Sequence, residues 1–141
     1  MHKTTSRIQI RYGETDQMGV VYHANYVIYL EIGRTDFLAS LGFKYNEMEE
    51  SGYVSPVLSI DVHYKKALRY GDTATVYTWL EAYDGLKMTY GYTIVNENGE
   101  TAVAAKSVHL CVTREGFRPV RVRTAFPELN KAYKLVLEGD A

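Results

Sequence analysis

The chain has 141 residues, 46% of them hydrophobic and 23% charged, with a formal net charge of −1. That length predicts one domain, residues 1–141, able to bury roughly two thirds of the surface its unfolded form exposes; the near-neutral balance excludes a global field that would draw nucleic acid or an anionic membrane. Cys111, the lone cysteine, excludes an internal disulfide, and with no signal-like segment and no apolar run of about 18 residues a reducing cytoplasm is the expected location.

In chain order, "SRIQIRY" (6–12) alternates Ile8 and Ile10 with Arg7, Gln9 and Arg11 and reads as a first strand. "HANYVIYLEIGRTDFLASLG" (23–42) reads as a long helix closed by Gly42 as its C-cap. Its apolar positions fill more than one stripe, which predicts a largely buried helix. Gly33 in its middle costs about 1 kcal/mol of propensity against Ala, tolerable where another backbone comes close. In "SPVLSIDVHYKKALRYGD" (55–72) Leu58, Ile60, Val62 and Tyr64 alternate with polar residues and make a second strand, ended by a turn at Tyr70-Gly71-Asp72. Asp84-Gly85 and Asn98-Gly99 are dipeptides suited to type I′ hairpins, so residues 72–83, 86–95 and 100–113 form an antiparallel meander. The tail, "TAFPELNKAYKLVLEG" (124–139), places Pro127 in a first turn and Leu129, Ala132, Tyr133, Val136 and Leu137 on one face, an amphipathic closing helix. The sum is an α+β chain of order β-α-β-β-β-β-α, about five strands around a central helix.

The chemistry concentrates in "TDQMGVVYHANY" (15–26), which leads into the long helix. A carboxylate such as Asp16 can act as nucleophile or as general base toward water; an Asx-turn is the plainer use of a lone Asp in a loop. The helix start directs free backbone N–H groups and its positive dipole end at that turn. An acyl carbonyl placed between Asp16 and the N–H of Tyr22 or His23 would have the geometry of acyl transfer, and Gly19 admits a substrate close to backbone. The His23 ring serves as acid/base, positioning donor or plain structural hydrogen-bonder, and Tyr12 as a donor to the pocket or a cap on the strand. His2, His63 and His109 are scattered, so no metal site is expected. Glu31 and Arg34, at i,i+3, form a structural pair. No nucleophile elbow, P-loop or dinucleotide fingerprint is present. Thirteen tyrosines against one tryptophan and four phenylalanines suit interfaces and ligand tunnels as well as strands.

"RYGETDQMGVVYHANYVIYLEIGR" (11–34) resembles the signature of hotdog-fold acyl-CoA thioesterases, in the branch of the 4-hydroxybenzoyl-CoA and Tol-Pal-associated enzymes. The resemblance implies a hotdog fold, a sheet wrapped round a central helix with a further C-terminal helix, and a homodimeric active unit, doubled to a homotetramer, with sites at the subunit interface. It implies Asp16 as catalytic carboxylate, the His23 N–H as carbonyl-polarising donor, side-chain help from Tyr12 and His23, and Asn25 as a substrate contact. No cofactor is implied, because CoA is part of the substrate. Lys65, Lys66, Arg69 and Lys87 are candidates for the CoA phosphates, equally readable as solubilising charge. Ser55 and Ser59 are candidate substrate contacts on the strand expected to face the partner's helix. Two functions follow: hydrolysis of an acyl-CoA thioester, or noncatalytic binding of acyl-CoA or lipid. Hydration of an acyl thioester is a distant third, because its helix motif is missing.

Overall fold

The computed structural model describes residues 1–139; the last two residues of the expected domain lie outside the described residues. The strands β1 (Lys3–Gln9), β3 (Val57–Tyr64), β4 (Thr73–Tyr83), β5 (Lys87–Val95) and β6 (Thr101–Leu110) form one antiparallel sheet in the order β1-β4-β5-β6-β3. Two short strands, β2 (Tyr53–Val54) and β7 (Val112–Thr113), pair separately. The helix α1 (Asn25–Ser40) lies against β1 and β4, followed by α2 (Tyr45–Glu50) and, near the C-terminus, α3 (Val122–Ala125) and α4 (Pro127–Leu137). This is the expected hotdog arrangement of a five-stranded sheet, a long helix and a C-terminal helix.

Alternation along the strands sends Val76 and Leu80 of β4, Tyr90, Tyr92 and Ile94 of β5, and Val103 and Ala105 of β6 into the core, where α1 contributes Tyr29, Leu30, Phe37 and Leu38. A Cβ on Gly33 would lie 2.4 Å from Thr78 Oγ1 and 2.9 Å from Val76 Cγ1, so the missing side chain is what lets α1 seat on β4. Gly42, at φ 82°, closes the helix as expected: its N–H bonds to the Ala39 carbonyl and the Phe43 N–H to the Leu38 carbonyl, a Schellman pair.

Three expectations need correction. The long helix buries only one face: Ile28 and Ile32 are exposed on the other, because the sheet covers a single side. The hairpin turns are not type I′, since Phe117 is the only non-glycine residue at positive φ among the described residues. At Asn96–Gly99 the Gly99 N–H bonds to the Asn96 carbonyl and Gly99 alone turns to φ 79°, a type I turn with a bulge. The strand expected over 100–113 breaks at Cys111, and its last two residues leave to pair with β2. The closing helix starts at Pro127 as expected, with Leu129, Tyr133 and Val136 buried, and a short helix, α3, that was not expected precedes it.

Candidate active site

The loop between β1 and α1 is organised by Glu14. Its Oε1 accepts the Arg11 N–H and the Tyr29 hydroxyl, both at 2.9 Å, and its Oε2 meets Arg11 Nη2 at 2.7 Å. Partial burial alone would raise the Glu14 pKa, but the Arg11 and Tyr29 hydrogen bonds outweigh it and hold the carboxyl below its ordinary value. The Glu14 backbone carbonyl accepts the Tyr22 N–H and Asn25 Nδ2, each at 2.9 Å. One residue therefore ties the loop to the first turn of α1.

Asp16 stands next in this loop. Its N–H donates to the Val20 carbonyl, its carbonyl accepts the Gly19 N–H, and its Oδ1 accepts the Met18 N–H at 2.8 Å. The Asx-turn is thus present, and it occupies one oxygen; Oδ2 has no hydrogen-bond partner among the described residues. Gly19 takes φ 81°, which a side chain would strain.

At the helix entrance the backbone donors divide unevenly. The Tyr22 N–H is spent on Glu14, and the Asn25 N–H on the Tyr22 carbonyl. The N–H groups of His23 and Ala24 meet no acceptor among the described residues. The helix begins at Asn25, two residues after the expected start, and with the Tyr22 N–H taken by Glu14 the free donors shift from the Tyr22–His23 pair to His23–Ala24. The His23 carbonyl accepts the Tyr64 hydroxyl at 3.2 Å, and the His23 ring packs against those of Tyr22 and Tyr64.

Asp16, His23, Tyr26, Tyr64, Lys65 and Lys66 line one cleft of about 280 Å³. Lys66 also pairs with Glu100. Arg69 stands outside the cleft, its Nη1 beside Gly19. Tyr12 does not enter the cleft: it is 76% exposed, edge-on to Tyr70, and meets Asp16 and Gly19 across an adjoining depression. Asn25 is half-buried with its amide nitrogen committed to Glu14.

The remaining candidates are not gathered here. Val57, His109, Met88 and Tyr83 form one row across the sheet, and Tyr64, Val103 and Ile94 form another, toward the Asp16 end. Ser55 is buried just before the first row, Lys87 is exposed beside it, and Ser59 lies only a little further along β3. The sequence reading missed Glu14, Tyr26 and Tyr64 as builders of the site. For Glu14 a signal was present: it falls three residues after Arg11, the spacing at which their side chains meet. Among the described residues no group of three or more His, Cys, Asp or Glu is placed to hold a metal, and no helix is long and apolar enough to cross a membrane.

An antiparallel sheet seating one long helix, with a carboxylate and unsatisfied N–H groups at that helix's entrance, defines a hotdog protein of the thioesterase type. The chain belongs to the Thioesterase-like superfamily, whose model matches residues 10–131. It is 51% identical over 134 residues to a Bacillus subtilis protein named "Putative acyl-CoA thioesterase YneP", covering 95% of this chain and 97% of that one. The acyl-CoA thioester hydrolase YbgC of Escherichia coli is 27% identical over 112 residues, 79% of this chain and 84% of that one. Among solved structures, a DHNA-CoA thioesterase from Staphylococcus aureus superimposes with a TM-score of 0.95 at 39% identity, covering 100% of this chain and 97% of that one.

Proposed function

We propose that the chain hydrolyses an acyl-CoA thioester to the free acid and CoA. The observation that carries this is a single cleft lined by both Asp16, whose Oδ2 is unpartnered, and His23, whose N–H is unsatisfied, with the free Ala24 N–H next along the chain. With the thioester carbonyl oxygen on those N–H groups, negative charge developing on it is stabilised by the helix entrance. Asp16 then acts in one of two ways. As nucleophile it attacks the carbonyl carbon, the C–S bond breaks with CoA leaving as its thiolate, and water cleaves the resulting anhydride, restoring the Asp16 carboxylate and supplying the proton the thiolate takes up. As general base it takes a proton from the water that attacks directly, the tetrahedral adduct collapses with cleavage of the C–S bond, and the proton passes to the departing CoA thiolate. No metal or bound cofactor enters either route.

The active unit in this reading is a dimer, placed in the cytoplasm and doubled to a tetramer. β3 is an edge strand with Val57, Leu58 and Tyr64 exposed, and Ile28 and Ile32 of α1 are uncovered as well. Pairing β3 antiparallel with its copy covers this surface and carries Ser55, Ser59 and Lys87 of one protomer toward the cleft of the other. Lys65 and Lys66 flank the thioester end of the substrate. The S. aureus relative's name makes an aromatic acyl-CoA the first substrate to try.

The test is thiol release from aromatic, short and long acyl-CoAs, with Asp16→Asn alongside. The variant is expected to lose about 10²- to 10⁴-fold in kcat. Equal, slow release by both proteins refutes the reading, and tight binding of intact thioester without product supports the noncatalytic alternative, which the Asx-turn role of Asp16 favours. A single turnover in ¹⁸O-water separates the two routes: label in the Asp16 carboxylate marks the nucleophile, label only in the product acid the general base.

A further inference from the structure

Asn25 and Tyr29 stand about one helical turn apart on the same face of α1, and both reach back to Glu14. Asn25 Nδ2 donates to the Glu14 carbonyl and the Tyr29 hydroxyl to Glu14 Oε1, each at 2.9 Å, so the helix holds that one residue by its backbone and by its side chain. Tyr29 is 1% exposed and its ring stands edge-on to that of Tyr26, with 5.9 Å between centroids, which gives its hydroxyl a fixed place. The Arg11 side chain, on the other flank of Glu14, is 79% exposed, and an ion pair reaching into solvent fixes little. The partly buried, charge-assisted bond from Tyr29 is what locates the Glu14 carboxylate.

Both halves of the candidate site are set from Glu14. Toward Asp16 the loop is closed on itself: Thr15 bridges Val21, the Asp16 N–H donates to the Val20 carbonyl and the Gly19 N–H to the Asp16 carbonyl. The Asp16 carboxylate therefore keeps a set place relative to Glu14. Toward the donors, the Glu14 carbonyl accepts the Tyr22 N–H at 2.9 Å, and the Asn25 N–H closes back on the Tyr22 carbonyl at 2.8 Å. His23 and Ala24 lie between those two anchors, ahead of the first residue of α1, so their N–H groups point where the anchors hold the chain.

We infer that the clamp of Asn25 and Tyr29 on Glu14 is a positioning device for thioester hydrolysis, holding the Asp16 carboxylate and the His23 and Ala24 N–H groups at one spacing, an inference that rests on the acyl-CoA reading. Asn25, Glu14 and Tyr29 act through those groups and are positioning residues. Negative charge develops on the carbonyl oxygen as its carbon is attacked, so donors that drift from that oxygen weaken the transition state more than the bound substrate. Loss of the clamp lowers kcat and leaves KM in place. A bond with a structural role alone lowers stability and not kcat, and a substrate contact at Asn25 acts on KM.

The experiment measures kcat and KM with an acyl-CoA for wild type, Tyr29→Phe, Asn25→Ala and a control, Tyr133→Phe, which removes a buried hydroxyl of α4 bonded at 2.5 Å to that of Tyr90. Tyr29→Phe and Asn25→Ala are each expected to lower kcat about tenfold or more at unchanged KM, and Tyr133→Phe to keep the wild-type kcat. An unchanged kcat for Tyr29→Phe, a raised KM with unchanged kcat for Asn25→Ala, or an equal fall in the control overturns the assignment. Amide hydrogen exchange reads the clamp without turnover: the Tyr22 N–H, bonded to the Glu14 carbonyl, should exchange about tenfold faster in Tyr29→Phe than in Tyr133→Phe. If wild type hydrolyses no acyl-CoA, the acyl-CoA reading falls, and this exchange decides the clamp separately: faster exchange of Tyr22 keeps its hold on the helix entrance, and equal exchange removes it.

Discussion

Gly33→Ala sets two effects of opposite sign against each other. On an exposed helix the change stabilises by about 1 kcal/mol, since Ala loses less backbone freedom than Gly and is the best helix former. Here the added methyl would lie 2.4 Å from Thr78 Oγ1 and 2.9 Å from Val76 Cγ1, both shorter than real contacts tolerate, and Thr78 and Val76 are fully buried. Forcing a methyl into such a core costs about 1–3 kcal/mol, toward the upper end when two neighbours must give way. The net is a loss of about 1–2 kcal/mol, read as a lower urea midpoint at unchanged slope and a melting temperature lower by about 3–6 °C. Thr78→Ala removes the nearer obstacle, so the double variant is less destabilised than the sum of the singles. A Gly33→Ala protein more stable than wild type, or additive single effects, refutes the account of how α1 seats on β4.

Gly91→Ala places a methyl 2.4–2.6 Å from ring atoms of Trp79, the sole tryptophan. The indole must swing off the sheet and away from Lys3, whose ammonium lies 4.6 Å from the ring centroid. Fluorescence emission should change with a stability loss of about 1–2 kcal/mol, and an unaltered spectrum counts against the packing. His109 is fully buried with Nε2 at 2.7 Å from Ser107 Oγ; burial, reinforced by the Arg34 charge, pushes its pKa down to about 3. The unfolded chain binds that proton near 6.5, so the stability this group confers is full above about pH 6.5 and is lost progressively toward pH 3. At pH 5 the loss is about 2 kcal/mol, and His109→Gln should flatten it. An equal fall in wild type and variant excludes His109 as its source.

Much of the fold was legible because its signals are local. Alternation placed β3 and, three residues late, β1; the Asp-Gly and Asn-Gly turns delimited β4 to β6, Gly42 marked the end of α1, and Pro127 the start of α4. The short pieces were not: α2 has six residues and β2 and β7 two each, too few for a period to show. The Asp-Gly and Asn-Gly dipeptides signalled the hairpins correctly, but both turn types were misread, because Asp84 and Asn96 use side-chain oxygens to hold the turn and leave only the glycine at positive φ.

The order of residues from Arg11 to Arg34 determined the family and put Asp16 immediately before a helix entrance, since both lie within one short stretch of chain. Which donors are free there was decided elsewhere. The Glu14 carbonyl takes the Tyr22 N–H, Tyr64 arrives from β3 to hold the His23 carbonyl, and Lys65 and Lys66 close the cleft from the end of that strand. Hydrogen bonds and cavities are made by groups that meet in space, and an amino-acid sequence records only which groups are neighbours along the chain.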